Sequence, residues 1–296
     1  MGRAAPQPVT VVMSTRDRRA EALASLARLV ALGDAPPLIL VDDASRDGTA
    51  QAVRARFPGA VEVVALHESR GAAARTAGVA RARTPYVAFA DDDSWYAPLA
   101  LAHAARLLDA HPRLALVAAR VLVGDEERVD PTCLAMADSP ICARRPLPGP
   151  AVLGFLACGA VVRRDAYLQV GGFEGRYGVG GEEALLAMDL AAAGWDLAYA
   201  DAVVAHHHPA RGGRRPGRRA AQLRNEMWTT WLRRPAGTAV RRSVALVAGA
   251  AREPRTLAAG TARALAGLPW VLRERRALPD HVEAQALAVQ GFAAWT

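Results

Sequence analysis

The chain has 296 residues, 52% of them apolar, and a formal net charge of +8. That content supplies a core for one large α/β domain or two small ones and excludes a disordered chain. The longest apolar candidates, residues 114–123 and 244–251, fall short of the roughly 18 residues that span a membrane.

Residues 1–8 lack the apolar core of a signal peptide. Cys133, Cys142 and Cys158 match neither zinc-site nor disulfide spacing. Both features lead to the expectation of a reduced, cytoplasmic protein. The charge is uneven: residues 1–208 carry 21 Arg against 24 acidic residues, whereas residues 209–296 carry 16 Arg against 5. A basic tail of that kind points to an acidic partner for the C-terminal part alone.

In chain order, Val9 to Met13, Leu38 to Val41, Val61 to Leu66 and Tyr86 to Ala90 read as buried strands. Helical patterns lie between them at 18–32, 49–57 and 72–83. Strand–helix alternation predicts a largely parallel sheet with right-handed crossovers, whose ligands bind beyond the C-terminal strand ends. All four ends carry polar clusters: Ser14-Thr15-Arg16-Asp17, Asp42-Asp43-Ala44-Ser45, His67-Glu68-Ser69-Arg70 and Asp91-Asp92-Asp93. A further strand is expected at 114–123, an irregular Pro-rich stretch at 131–150, and an apolar run at 152–162. Beyond these come a turn at Gly171-Gly172-Phe173, a helix at 182–193, and a strand at 197–205 ending in His206-His207-His208. An Arg-rich loop, Arg211 to Arg219, precedes a basic helical segment that runs to the end.

The aspartate triplet carries the most chemistry. Carboxylates packed at a strand end repel one another unless a cation neutralises them, which suits a hard divalent metal serving a phosphate. The alternative is a solvated acidic turn. Asp43-x-Ser45-x-Asp47-Gly48 imitates the start of an EF-hand loop, but position 12 is Arg54 and a strand precedes it. Gly178-Val179-Gly180-Gly181 has no preceding strand and so makes a poor dinucleotide turn.

In their order and spacing, Ser14-Thr15-Arg16, Val41 to Thr49, Phe89 to Asp93, Gly171-Gly172-Phe173, Gly181-Glu182-Glu183 and Ala193-Gly194-Trp195 resemble the inverting family 2 glycosyltransferases of the GT-A fold. The resemblance covers residues 8 to 210. It implies a Rossmann-like, doubly wound, mostly parallel α/β sheet with a basic helical C-terminal extension. Residues 1–120 would form the nucleotide-sugar half, 121–210 the acceptor and catalytic half, and 211–296 the basic loop and helical extension.

The same resemblance implies roles for individual residues. Asp43 would accept the base N–H of a uridine or thymidine diphosphate sugar, with Ser14 and Arg16 lining the nucleoside pocket; otherwise Asp43 is part of an Asx turn capping the helix near Thr49. Arg75 would reach the nucleotide or diphosphate, or remain a solvated helical residue. Asp93 would hold Mg²⁺ or Mn²⁺ against the diphosphate, Asp91 would contact ribose or the metal shell, and Asp92 would line the site or turn away. A histidine after the last strand would complete the metal shell. Alternation puts His206 and His208 on one side and His207 on the other, and His208 is the expected ligand.

The catalytic base is expected at Glu182-Glu183, the second member being Glu where the family usually has Asp. Two acids there would also suit a helix N-terminus. Inversion requires an acceptor hydroxyl to attack opposite the leaving group, and a carboxylate must take its proton. The expected partners are thus a nucleoside diphosphate sugar and a hydroxyl acceptor, either a glycan, a lipid-linked sugar or a small molecule.

Leu223, Met227, Trp228 and Trp231 form one helical stripe in the basic tail. The stripe either packs on the core or lies on an anionic membrane at the inner face of the plasma membrane. Two rival functions are a sugar nucleotidyltransferase, although Ser14 to Arg19 lacks its Gly-rich phosphate loop, and a basic nucleic-acid-binding protein, although the tail holds no recognition motif.

Overall fold

The computed structural model describes residues 8–209 and 217–291. Four strands open the fold: β1 (Val9–Thr15), β2 (Leu38–Asp42) and β4 (Tyr86–Asp91), which are almost wholly buried, and the partly exposed edge strand β3 (Val61–Ala65). Helices α1 (Arg19–Val30), α2 (Thr49–Arg56) and α3 (Ala74–Arg81) connect them. All three pairings in the order β3-β2-β1-β4 are parallel. Because the chain leaves β1 toward β2 and later returns to β1's other side as β4, the switch point lies between β1 and β4. Their C-terminal ends, at Ser14 and Asp91, sit side by side.

The rest of the sheet is mixed. A tight turn at the aspartates leads into β5 (Ser94–Tyr96), then α4 (Ala100–Ala110), β6 (Leu114–Val123), β7 (Arg128–Val129) and α5 (Pro131–Ala137). Strand β8 (Ala160–Arg163) inserts antiparallel between β4 and β6, and α6 (Arg164–Gln169) follows. Helix α7 (Glu182–Ala192) leads to β9 (Asp196–His207), which pairs parallel to β6 and antiparallel to β5.

Several elements depart from the sequence expectation. Of the apolar run at 152–162 only its end is a strand, and a 3₁₀ turn at Ala157–Gly159 leads into it. Helix α5 occupies the start of the Pro-rich stretch, with Pro131 at its first turn and the Asp130 side chain accepting from the Thr132 N–H. Helix α4 was not anticipated, although Leu101, Ala104, Ala105 and Leu108 are buried at i, i+3, i+4 and i+7.

One buried cluster lies on each face of the sheet. The C-terminal segment forms α8 (Arg218–Arg233), α9 (Ala236–Ala250), α10 (Pro254–Ala266), α11 (Leu268–Arg273) and α12 (Asp280–Ala288). The stripe of the basic tail is internal. Leu223, Met227 and Trp228 bury against Tyr177, Leu185, Ala264 and Val271, and Trp231 packs on the same cluster. Trp228 donates its indole N–H to the Ala264 carbonyl at 3.0 Å, and Trp231 donates to Ser243 at 3.0 Å. Packing on the core therefore replaces a membrane contact through these tryptophans. No described helix is long and apolar enough to cross a membrane.

Candidate active site

A cleft of about 940 Å³ opens over the C-terminal ends of β1 and β4. Its floor is the aspartate turn. Ser94 Oγ accepts from the Asp91 N–H at 2.8 Å, and the His208 N–H donates to the Asp93 carbonyl at 2.8 Å, so the turn is fastened to the end of β9.

The three carboxylates have different surroundings. Asp92 turns toward β1, accepting from Thr15 Oγ1 at 2.7 Å and facing Arg18 Nη1 at 2.8 Å. Burial pushes its carboxyl up to about 6 despite those partners. Asp93 faces Arg18 Nη2 at 3.1 Å and His207 Nε2 at 3.3 Å. Burial disfavours its charge, but the hydrogen bond and charge of His207, with the charge of Arg18, outweigh it and hold Asp93 below its ordinary value. Burial likewise opposes protonation of His207, and Asp93 reverses that to raise it. Asp91 is ion-paired with Arg75.

Asp91, Asp93 and His207 each offer one ligand atom within 4.8 Å of the others. Two carboxylate oxygens and an imidazole nitrogen suit a divalent cation of the magnesium–manganese type. The imidazole is His207; the expected ligand, His208, instead faces Asp125 at 3.2 Å and packs on Trp95. His206 faces Glu127 at 2.9 Å and stacks on the same Trp95. Alternation is obeyed, but its phase is set by Val203 and Ala205, both fully buried on the side His207 shares. The irregular register between Ala119/Ala200 and Arg120/Val204 leaves extra residues on β9 and hides that phase from the earlier part of the strand.

Asp43 is buried and accepts from Ser69 Oγ at 2.7 Å and from the N–H groups of Arg70 at 2.6 Å and Gly71 at 3.1 Å. Its carboxylate holds the loop after β3 while lining the cleft. The cap near Thr49 comes from other residues: Asp47 accepts from the Thr49 N–H, and Asp42 from the Ser45 and Ala50 N–H groups. Ser14 and Arg16 line the cleft at the end of β1, Arg16 within 3.6 Å of Asp17. Arg75 is buried, its charged form favoured by Asp91 and Glu182 over the cost of burial, and its Nε has no partner among the described residues.

Glu182 and Glu183 open α7 and line the same cleft, near enough to Arg75 and Asp91 to feel their charge. Gly178, Gly180 and Gly181 take φ of 71°, 103° and 84°, a left-handed path that only glycine follows cheaply and that turns the chain sharply into the helix. Gly71 approaches so closely that a Cβ there would meet the Gly178 carbonyl oxygen at 2.5 Å, and Ala72 N–H donates to that oxygen at 2.7 Å. From behind, Asn225 of α8 donates to the Tyr177 carbonyl at 3.1 Å and to the Gly180 carbonyl at 2.5 Å. Glu182 is buried and accepts from the Gly180 N–H. Glu183 also lines the cleft, and among the described residues no other residue donates a hydrogen bond to it. Burial first, and for Glu183 the neighbouring Glu182 second, raises both carboxyls above the ordinary range.

The functional residues missed from sequence are Arg18, His207 and a wall built by the C-terminal helices, with Gln222, Glu226, Thr230 and Arg242. Of the Arg-rich loop, Arg211, Arg214 and Arg215 lie outside the described residues; Arg218 lines the cleft and Arg219 pairs with Glu253.

A doubly wound, mostly parallel sheet with a helical C-terminal part and carboxylates gathered in a cleft at its switch point is the architecture of a GT-A glycosyltransferase. The chain belongs to glycosyl transferase family 2, whose family model matches residues 10–171. Among solved structures, it is similar to the mannosyltransferase PcManGT from Pyrobaculum calidifontis in complex with GDP-Man and Mn²⁺, with 21% identity, a TM-score of 0.56, and coverage of 96% of this chain and 88% of that one. It is also similar to S. aureus TarS 1–349 in complex with UDP-GlcNAc, with 15% identity and a TM-score of 0.59 over 75% of this chain and 65% of that one. No curated relative matches the sequence.

Proposed function

We propose that the protein transfers a sugar, with inversion, from a uridine or thymidine diphosphate sugar to a hydroxyl acceptor. The observation that carries this reading is that one cleft holds the Asp91, Asp93 and His207 cluster together with Glu183. Asp91, Asp93 and His207 would hold Mn²⁺ or Mg²⁺, which when bound neutralises charge on the departing diphosphate. Arg75, whose Nε is buried without a partner among the described residues, would donate to the same diphosphate. Asp43 keeps the loop after β3 in place beside the base pocket formed with Ser14 and Arg16. Asp92 positions Arg18 rather than touching the donor.

Glu183 takes the proton of the acceptor hydroxyl as it attacks. Its raised basicity suits it to that role, and Glu182, tied to the Gly180 N–H, holds the turn from which Glu183 projects. We also place the enzyme in the cytoplasm. Any contact with an anionic inner membrane surface would run through α9, whose Val240, Val244 and Val247 are exposed, rather than through the buried tryptophans.

The test is thermal stability in the presence of UDP, dTDP or GDP, with and without Mn²⁺. A metal-dependent rise with UDP or dTDP that disappears in Asp93→Ala is expected; a nucleotide-independent melting temperature refutes the reading.

A further inference from the structure

Beyond Glu183 the cleft continues along α7 to Met188, about 8 Å farther at 1.5 Å per residue. The facing wall is α8, whose Gln222, Glu226, Thr229 and Thr230 recur at i, i+4, i+7 and i+8. This explains an amphipathic helix whose polar face is turned into a cleft: its opposite face is the buried stripe around Trp228. Arg242 of α9 and Arg218 at the start of α8 complete the wall.

The charges here are unbalanced. Arg234 is neutralised inside the fold by Glu283, with Nη2 to Oε1 at 3.1 Å. Neither Arg242 nor Arg218 lies within 4.0 Å of a carboxylate among the described residues. Arg242 is half-buried; burial and Arg234 work against its charge and outweigh the more distant support of Glu226 and Glu283. Glu226, the nearby acid, is itself shifted toward its neutral form by burial. A half-buried guanidinium with no carboxylate in direct contact is costly unless a ligand supplies one.

We propose that this α8–α9 wall is the acceptor subsite and that it recognises an acceptor bearing a phosphate group, bound by Arg242, next to the hydroxyl that Glu183 activates. Gln222 and Thr230 would serve the uncharged hydroxyls of the same acceptor, whereas Thr229 is held by the Tyr177 hydroxyl at 2.9 Å. The proposal rests on the transferase reading above and deepens it.

Glycerol 3-phosphate is the probe, titrated calorimetrically into protein saturated with nucleoside diphosphate and Mn²⁺ so that the donor half is filled. Binding is expected to weaken about tenfold or more in Arg242→Gln, to return toward wild type in Arg242→Lys, and to tighten in Glu226→Gln, which removes the carboxylate that competes with the ligand for Arg242. Equal affinity in wild type and Arg242→Gln, or no binding to the nucleotide-filled wild type, overturns the proposal. Nucleotide binding measured first in each protein reports on the transferase reading alone; if it is absent, that reading fails, and the phosphate titration of the unfilled protein still tests Arg242. Repeating the titration with phosphatidic acid vesicles separates the sources, since tighter binding there assigns a lipid-borne phosphate and equal binding a free one.

Discussion

Replacing Glu183 by Gln keeps the shape of the side chain and removes its ability to accept a proton. No other described residue donates a hydrogen bond to Glu183, so the variant takes no donor's partner away. General-base catalysis supplies roughly 10²–10⁴-fold, which corresponds to about 3–5 kcal/mol of transition-state stabilisation. Turnover should fall by that factor while donor affinity is kept. In Glu182→Gln the amide oxygen can still accept from the Gly180 N–H, so a loss of less than about tenfold is expected. The pH dependence provides a second reading. Burial and Glu182 hold the Glu183 carboxyl above the usual carboxylate range, so kcat/KM of the wild type should rise with pH through that raised value and level off above it. Stability must run the other way. A carboxyl whose folded value is raised contributes stability that is complete below the unfolded value and lost as pH rises through the folded one. Glu183→Gln should therefore be more stable than wild type at neutral pH and equal to it near the acid end. Steady-state kinetics and urea denaturation across pH measure both. If Glu182→Gln shows the large turnover loss instead, or Glu183→Gln leaves the pH profile unchanged, the assignment of the base is wrong.

Three further outcomes follow from the geometry. His207→Ala should weaken Mn²⁺-dependent nucleotide binding by tenfold or more whereas His208→Ala leaves it nearly unchanged, and metal titrations of the two variants distinguish the two imidazoles. Trp228→Ala should lose about 3–5 kcal/mol in urea denaturation, because the ring is buried against Tyr177 and Trp270; wild-type stability in this variant would contradict the internal stripe. Asp43→Asn should cost about 1–3 kcal/mol, since an amide oxygen cannot serve all three donors from Ser69, Arg70 and Gly71, and calorimetric melting measures it.

The sequence by itself determined the N-terminal, parallel half of the sheet. Buried parallel strands are continuous apolar runs, and their ends are marked where polar residues begin, so β1, β2 and β4 and the clusters beyond them were legible from local pattern. The acidic triplet and the Glu182-Glu183 pair were readable for the same reason, each being contiguous in the chain. What local pattern cannot carry is phase across an irregularity and contact across distance. The register shift in β9 decided that His207 rather than His208 meets Asp93, and nothing within the strand announces it. Arg18 gave no sign of its role until the switch point brought it to Asp92 and Asp93, residues far along the chain. The amphipathic α8 has the same apolar stripe whether it faces lipid or protein, because periodicity reports a face and not its occupant. Only the tertiary structure settled that the stripe covers Tyr177 and Leu185, and that the polar side of the helix closes the cleft.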